Sequence, residues 1–448
     1  MFPEEIQFFK DKTGIELPPY CWRTGSKIYL DFTQKNPYYT FKVVDGKIEP
    51  KKDNRSKQDR SSQISIDDLI KQNIGRIDSM YNVSVQRLAK TILDHPNHFY
   101  IIGYSGGKDS DLTLHMWNDA LKYVSDISAS IYHNIEWVIN FSNTSNDTVD
   151  TYRRIKLLPQ DKVNILNPKI GFYPWIEKIK KYQTPTVLRR NCCSTYKEGQ
   201  IQKYYDVNRE TINVLGVRKY ESTKRANYQY FMDYKTLVSI WPQTRTPKLW
   251  SICAPAIDFK DEDVWLYLLA HNIDFNRQYK LGFSRCGCLI CPYQTGYTDL
   301  LIEYWYPNMW ERWRKILTKG YYINHVQRNF KWTLDEWLNG QWKEGKSKER
   351  YIIQRNPTPE RIRQLADIKG ISENMARKYF QRTCKTCGKK LSPSEIAFFY
   401  KTEGRDEDNL EDNRGIQCKK CYCEEHSITQ KQYTKMIMDF VGSGCNLF

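Results

Sequence analysis

No stretch of this 448-residue chain carries the run of roughly 20 apolar residues that a membrane-crossing helix needs; the longest, residues 264–270, stops at His271. The chain is therefore not expected to span a membrane. Met1-Phe2-Pro3-Glu4-Glu5 lacks the basic and apolar segments of a secretory leader, so a reducing, cytoplasmic compartment is expected. With oxidising compartments set aside, the 13 Cys read as ligands rather than disulfides. No internal repeat is visible. Acidic residues are in deficit, 52 Asp and Glu against 69 Lys and Arg for a net charge of +17. That field suits a polyanion, whether nucleotide, DNA or RNA, although a basic solubility surface carries the same signature. Hydrophobic residues make up 40%, with 13 Trp, 32 Tyr and 18 Phe, which excludes a wholly disordered or collagen-like chain.

The length fits two to four domains. Residues 27–32 and 39–44 alternate like two strands, and Asp45-Gly46 marks a turn. Residues 47–63 hold Lys51, Lys52, Arg55, Lys57 and Arg60 with almost nothing apolar, so they read as a linker or mobile basic arm. Leu69, Ile70, Ile74, Ile77 and Met80, then Val85, Leu88, Ala89, Ile92 and Leu93 recur at helical spacing until His95-Pro96. Candidate strands at 99–104, 135–141 and 211–217 alternate with helices at 110–123 and 148–157. That alternation predicts an α/β fold, a doubly wound, mostly parallel sheet with helices on both faces. Beyond residue 292 the chain turns helical, with Tyr304, Trp305, Trp310, Trp313 and Trp332 expected in the core. Residues 359–380 split at Gly370-Ile371-Ser372 into two short amphipathic helices, a packing unit or a helix–turn–helix. The expected domains are a small β-containing N-terminal domain with a basic linker (1–62), a nucleotide-binding domain (63–318), a helical region (319–382) and a zinc module (383–448).

Chemistry concentrates at Tyr104-Ser105-Gly106-Gly107-Lys108-Asp109-Ser110, where a buried strand gives way to a helix. Two glycines let backbone N–H groups approach a phosphate, and the helix turns its positive end toward the anion. Ser105 and Ser110 add hydroxyl donors, and Lys108 a cation for a leaving phosphate. The spacing is not Walker A. An ordinary glycine turn would not need all three contexts to agree. The cysteines form two sets. Cys192-Cys193 with Cys288-Leu289-Ile290-Cys291-Pro292 suits a four-thiolate iron–sulfur cluster, while spacing alone also permits zinc or free thiols. Cys286 offers one further thiol. Arg189, Arg190 and Lys197 flank the pair and suit a cluster or a nucleotide, or a plain solvated face. Cys384-x2-Cys387 and Cys418-x2-Cys421 are two knuckles of a structural zinc site, with Cys423 as a substitute ligand; the acidic stretch 404–414 between them lacks a core of its own, so metal would drive folding. Lys385, Lys389, Lys390, Lys419 and Lys420 crowd the knuckles, as a nucleic-acid or protein grip would.

On these residues the chain resembles the PP-loop N-type ATP pyrophosphatases and, within them, the phosphoadenylylsulfate (PAPS) reductase family. Asn143-Thr144-Ser145-Asn146-Asp147 stands where the family commonly has Asp-Thr-Gly-x-Glu, with Asn143 a departure. Gly216-Val217-Arg218-Lys219-Tyr220-Glu221-Ser222, with Arg225 following, is similar to the segment that approaches the nucleotide phosphates; residues 255–265 resemble the family's stretch into a helix. The resemblance covers about residues 85–300. It implies ATP with Mg as cofactor, bound by Ser105, Gly106, Gly107, Lys108, Asp109, Ser110, Lys197, Arg218 and Arg225, with Lys108, Asp109, Arg218 and Glu221 catalytic. It also implies a [4Fe–4S] cluster on Cys192, Cys193, Cys288 and Cys291, beside zinc on Cys384, Cys387, Cys418 and Cys421.

The function so implied is an adenylating ATP pyrophosphatase and sulfurtransferase, most similar to the DNA-phosphorothioation type. Its partners would be a DNA or tRNA acceptor and a sulfur-donor protein such as a cysteine desulfurase. The alternatives are an assimilatory adenylylsulfate or PAPS reductase forming sulfite, and a non-catalytic nucleotide-binding adaptor of a defence or mobile-element complex. Such reductases usually pair a degenerate phosphate loop with a Glu-Cys-Gly-Leu-His tail; this chain ends Gly444-Cys445-Asn446-Leu447-Phe448. The intact loop argues against the adaptor.

Overall fold

A computed structural model describes all residues except 223–224, 243, 354, 356–357, 381–383, 385, 388, 390, 404–415 and 443–448. Cys445, Lys385, Lys390 and the acidic stretch 404–414 thus lie outside the described residues. The chain divides into two units, Met1–Asn324 with Leu334–Gly345, and His325–Thr333 with Lys346–Phe448. Among the described residues, no helix is long and apolar enough to cross a membrane.

In the first unit, β1 (Trp22–Thr24), β2 (Lys27–Tyr29), β3 (Tyr39–Val44) and β4 (Lys47–Asp53) pair antiparallel in chain order. Asp45 and Gly46, at φ 46° and 72°, form the tight turn between β3 and β4, the left-handed pair that matches hairpin twist. Residues 47–53, expected within a basic linker, are therefore strand. Their lysines and Pro50 are exposed on the sheet edge, where such residues block further pairing. The boundary expected near residue 62 falls inside this unit. In α1 (Pro3–Thr13), Phe8 and Phe9 are fully buried, Phe8 against Tyr297 and Tyr304 and Phe9 against Tyr39 and Phe41.

The larger sheet has the order β7-β6-β5-β8-β10-β9, from β5 (Phe99–Gly103), β6 (Trp137–Ser142), β7 (Val163–Leu166), β8 (Thr211–Leu215), β9 (Phe231–Met232) and β10 (Trp250–Cys253). All neighbours are parallel except β9 with β10. Helices cover both faces, so Tyr100, Ile101 and Ile102 are all buried, as a doubly covered strand requires. The two apolar stretches before β5 belong to one helix, α2 (Ile66–Asp94), begun where Ser65 Oγ accepts the Asp68 N–H at 3.1 Å. In α3 (Lys108–Ile127), Trp117 is buried against Tyr100 and Trp137. Chain order reverses between β5 and β8, and the crevice beyond the carboxyl ends of two such strands is where open α/β sheets bind ligands. Further along come α4 (Val149–Lys156), α5 (Asp261–Ala270), α6 (Gly296–Trp305) and α7 (Pro307–Gly320). Trp310 and Trp313 are buried as expected, whereas Tyr304 is 38% exposed.

In the second unit, α8 (Pro359–Lys369) and α9 (Glu373–Phe380) meet through Ile362, Leu365, Ala366, Ala376, Tyr379 and Phe380. Gly370, at φ 64°, ends α8 in the left-handed conformation that glycine adopts freely. Trp332 is buried.

Candidate functional site

The phosphate loop leaves β5 at the switch point and enters α3. Gly106 is left-handed, φ 73°, and the Asn276 side-chain amide donates to its carbonyl at 3.0 Å. Ser110 Oγ accepts the Gly107 N–H at 3.1 Å and donates to the Gly107 carbonyl at 2.7 Å, while Tyr279 Oη accepts the Lys108 N–H at 3.0 Å. A Cβ on Gly107 would stand 3.0 Å from Tyr279 Oη and 3.6 Å from Cys286 Cβ, so these residues form the loop's wall. Across the switch point, the exit of β8 passes so close to α3 that a Cβ on Gly216 would stand 2.6 Å from the Asp109 carbonyl oxygen. Only glycine permits that approach. These bonds hold the loop rigid at a helix N-terminus, whose positive end favours an anion.

The charges around the loop interlock. Lys108 and Arg218 are 3% and 4% exposed. Lys108 Nζ lies 3.1 Å from Asp109 Oδ2 and 2.9 Å from Asp261 Oδ1. Arg218 Nε lies 2.8 Å from Asp109 Oδ1, and its Nη2 lies 2.9 Å from Asp261 Oδ1 and 3.9 Å from Glu221 Oε1. Glu221 also pairs with Arg225, whose pKa is lowered by burial; Asp109, Arg218 and Arg285 lie within its electrostatic reach. Burial alone would raise the Asp261 pKa, but Lys108 and Arg218 outweigh it and hold the carboxyl below its ordinary value. The expected residues Ser105 to Ser110, Arg218, Glu221 and Arg225 thus gather at one place. Asp109, Glu221 and Asp261 are the carboxylates that interlock with these cations. Asp261, Asn276 and Tyr279 were not expected: Asp261 reads in sequence as ordinary acid in a helix's first turn, and the other two carry no motif.

Behind α3, Asp111 is buried against Tyr104 and Arg154, the latter 3.1 Å away. Arg154 also reaches Asp274 at 2.8 Å, which ties α3 and α4 to the residues before Asn276. Burial pushes the Asp111 carboxyl up to about 6 against the pull of Arg154.

Beside this site stand the first four thiols. Cys192 and Cys193 sit on the turn Asn191–Cys193, Cys288 and Cys291 on the loop before α6. Cys193, Cys288 and Cys291 all act on Cys192, whose thiol is pushed up by the Cys193 contact and by burial. Lys197 stands among them: Cys288 raises its pKa more than burial lowers it, with help from Asp147, Cys193 and Cys291. The departure at 143–147 has a structural use. Asn146 Nδ2 donates to the Ile290 carbonyl at 2.9 Å and its Oδ1 accepts the Ile290 N–H at 3.2 Å, clamping the loop of residues 288–291. Asn143 Oδ1 accepts from the Ser145 N–H and Tyr152 Oη, each at 2.8 Å. Cys192, Cys193, Cys288 and Cys291 thus share one neighbourhood with a buried lysine and a clamped loop, a donor set whose chemistry suits thiolate ligation. Cys286 turns instead to the nucleotide side, bonded to Tyr279 and raised by burial.

In the second unit, the sulfurs of Cys384, Cys387, Cys418 and Cys421 all lie within 4.8 Å of one another, a four-cysteine metal-binding group. Cys387 and Cys418 Sγ are 3.7 Å apart. Burial would raise the Cys384 thiol, but backbone N–H groups of Cys418, Cys387 and Thr386 outweigh it and lower the pKa to about 6, which favours the ligating thiolate. Cys423, considered as a substitute ligand, is buried with Phe398 and Tyr433 in a separate apolar cluster.

Residues 100–294 match the phosphoadenosine phosphosulfate reductase domain. Over these residues, rather less than half of the chain, it is similar to that domain family. It is similar to two uncharacterised proteins of Methanocaldococcus jannaschii. One is 28% identical over 56% of this chain and 48% of the relative; the other is 25% identical over 59% of each. The chain thus spans about half the length of the curated relatives it matches. Among solved structures it is similar to a PAPS reductase from Candida auris in complex with phosphate, at 14% identity and a TM-score of 0.32, over 47% of this chain and 93% of that one.

Proposed function

We propose that this protein is a cytoplasmic, adenylating ATP pyrophosphatase that transfers sulfur to a polyanionic acceptor, DNA or tRNA. Supporting this reading is the pair of buried cations, Lys108 and Arg218, set beside the loop amides and 2.8–3.1 Å from Asp109 and Asp261. A departing β,γ-pyrophosphate would draw on both cations in a water-poor site once Mg occupies the carboxylates; adenylylsulfate brings no such group. An acceptor oxygen would attack the α-phosphorus of ATP with Mg, the α–β phosphoanhydride bond would break, and pyrophosphate would depart onto the loop. Hydrosulfide supplied by a donor protein and held at the thiol site would then attack the adenylated acceptor, the bond to the AMP oxygen would break, and AMP would leave with sulfur in place of that oxygen. The roles follow from position: Lys108 and Arg218 stabilise the departing charge, Asp109 and Glu221 hold the metal, and Ser105, Ser110, Gly106, Gly107 and Arg225 bind phosphate. A [4Fe–4S] cluster on the four thiols, when bound, supplies a place to hold sulfur or to pass electrons; Lys197 offsets its negative charge. The net charge of +17 favours a polyanionic acceptor.

The four-cysteine group of the second unit is read as structural zinc. Tetrahedral Zn–S bonds of about 2.3 Å set sulfurs about 3.8 Å apart, close to the 3.7 Å between Cys387 and Cys418.

Anaerobically purified full-length protein, given ATP, Mg and DNA or tRNA, should release AMP and pyrophosphate. Sulfite release from adenylylsulfate or PAPS, with no ATP cleavage under any acceptor, would replace this reading with the reductase.

A further inference from the structure

The four thiols come from two segments about 100 residues apart in sequence, and a residue far from both ties them together. Lys343, in the turn Gln341–Lys343, is 8% exposed. Its Nζ donates to the Gln294 carbonyl at 2.9 Å and pairs with Asp299 Oδ2 at 2.5 Å. Gln294 closes the thiol loop on itself: its Oε1 accepts the Cys291 N–H and its Nε2 donates to the Cys288 carbonyl, each at 3.1 Å. The Lys343 backbone carbonyl, in turn, accepts the Val187 N–H at 2.8 Å, five residues before Cys192. Val187 is gripped a second time, its carbonyl accepting from Tyr293 Oη at 3.3 Å. Two residues on, Gly345 (φ 68°) lies so close to Thr186 that a Cβ would stand 2.6 Å from its Oγ1.

We infer that Lys343 is the positioning residue of the four-thiol site. It holds the segment of Cys192 and Cys193 in register with that of Cys288 and Cys291, so that a cluster meets all four sulfurs at once. This inference rests on the cluster reading above. Its role is geometric rather than electrostatic, because Asp299 neutralises the ammonium; Lys197 supplies the charge at the sulfurs. Groups that orient ligands from behind typically change metal affinity by about 10- to 100-fold when removed.

The test uses the full chain and removes both charges together, Lys343→Met with Asp299→Leu, because a buried ion left unpaired would unfold the site by itself. The double variant should keep the wild-type circular dichroism and thermal midpoint. Its affinity for iron in anaerobic reconstitution should fall about tenfold or more, while the metal content of the Cys384 group is unchanged. In metal-free protein, Cys288 and Cys291 should be alkylated several-fold faster than in wild type, read by mass spectrometry against Cys253 as an internal reference. Lys343→Arg, which keeps a donor and the charge, should recover part of both. Wild-type iron affinity and alkylation rates in a folded double variant would overturn the inference. Should the variant unfold, Gln294→Leu, which removes the clamp that Lys343 holds, takes its place with the same readouts. If wild-type protein binds no iron, the cluster reading fails and the alkylation rates alone decide the role of Lys343.

Discussion

Gly216 and Asp109 belong to different strand–loop segments, yet the space between them has no room for a methyl group: a Cβ on Gly216 would stand 2.6 Å from the Asp109 carbonyl oxygen and 3.1 Å from the Ser110 nitrogen. The two sides of the phosphate site are therefore in backbone contact. Gly216→Ala should push the start of α3 away from β8, at a stability loss of about 1–3 kcal/mol, the range for overpacking. Calorimetric titration with ATP should show a larger proportional loss of binding than denaturant unfolding shows of stability. Unchanged ATP affinity would count against this geometry.

Lys108→Ala leaves Arg218 to pair with both Asp109 and Asp261, so the fold should survive. The departing pyrophosphate would lose one of its two buried cations, and AMP formation should fall about 10²- to 10³-fold, as when a single preorganised donor is removed. Rates with and without acceptor, beside a thermal melt, check this.

Asp111 gives a pH signature. Its folded carboxyl is pushed up to about 6, and its Oδ2 is buried without a hydrogen-bond partner. Below pH 4 both folded and unfolded forms hold the proton, and stability is unaffected. Between pH 4 and 6 the unfolded form releases its proton while the folded form retains it, so stability falls as pH rises, and the loss is complete above about 6. Relative to Asp111→Asn, wild type should lose up to about 3 kcal/mol over that interval. Urea unfolding of both proteins at half-unit pH steps measures the difference.

Removing the metal from the four-cysteine group of the second unit, by chelator or by Cys418→Ser with Cys421→Ser, should expose the chain between residues 384 and 442 to protease and leave the nucleotide domain protected, because metal binding there is folding free energy. Equal protection of the treated and untreated protein would contradict it.

Much of this was legible in the sequence, for identifiable reasons. The loop of Ser105 to Ser110 announces itself because strand, glycines and helix are contiguous, and the buried strand before it is apolar at every position. The Cys384 group is legible because the spacing within each of its two knuckles is local. What escaped depends on residues brought together by folding alone. Tyr279 and Asn276 support the loop from more than 160 residues away, Asp261 looks like any helix-capping acid, and Lys343 forms part of no pattern. β4 escaped because an edge strand with Lys47, Lys51 and Lys52 outward has the composition of a linker.

Cys286 walls the phosphate loop and Cys288 belongs to the thiol set, with Gly287 alone between them at φ 143°, a value that strains any other residue. Two virtual bonds of 3.8 Å limit their Cα separation to about 7.6 Å. Covalent structure alone thus keeps the wall of the phosphate loop next to the thiol set. An inserted residue at Gly287 would detune one centre against the other even if each remained intact.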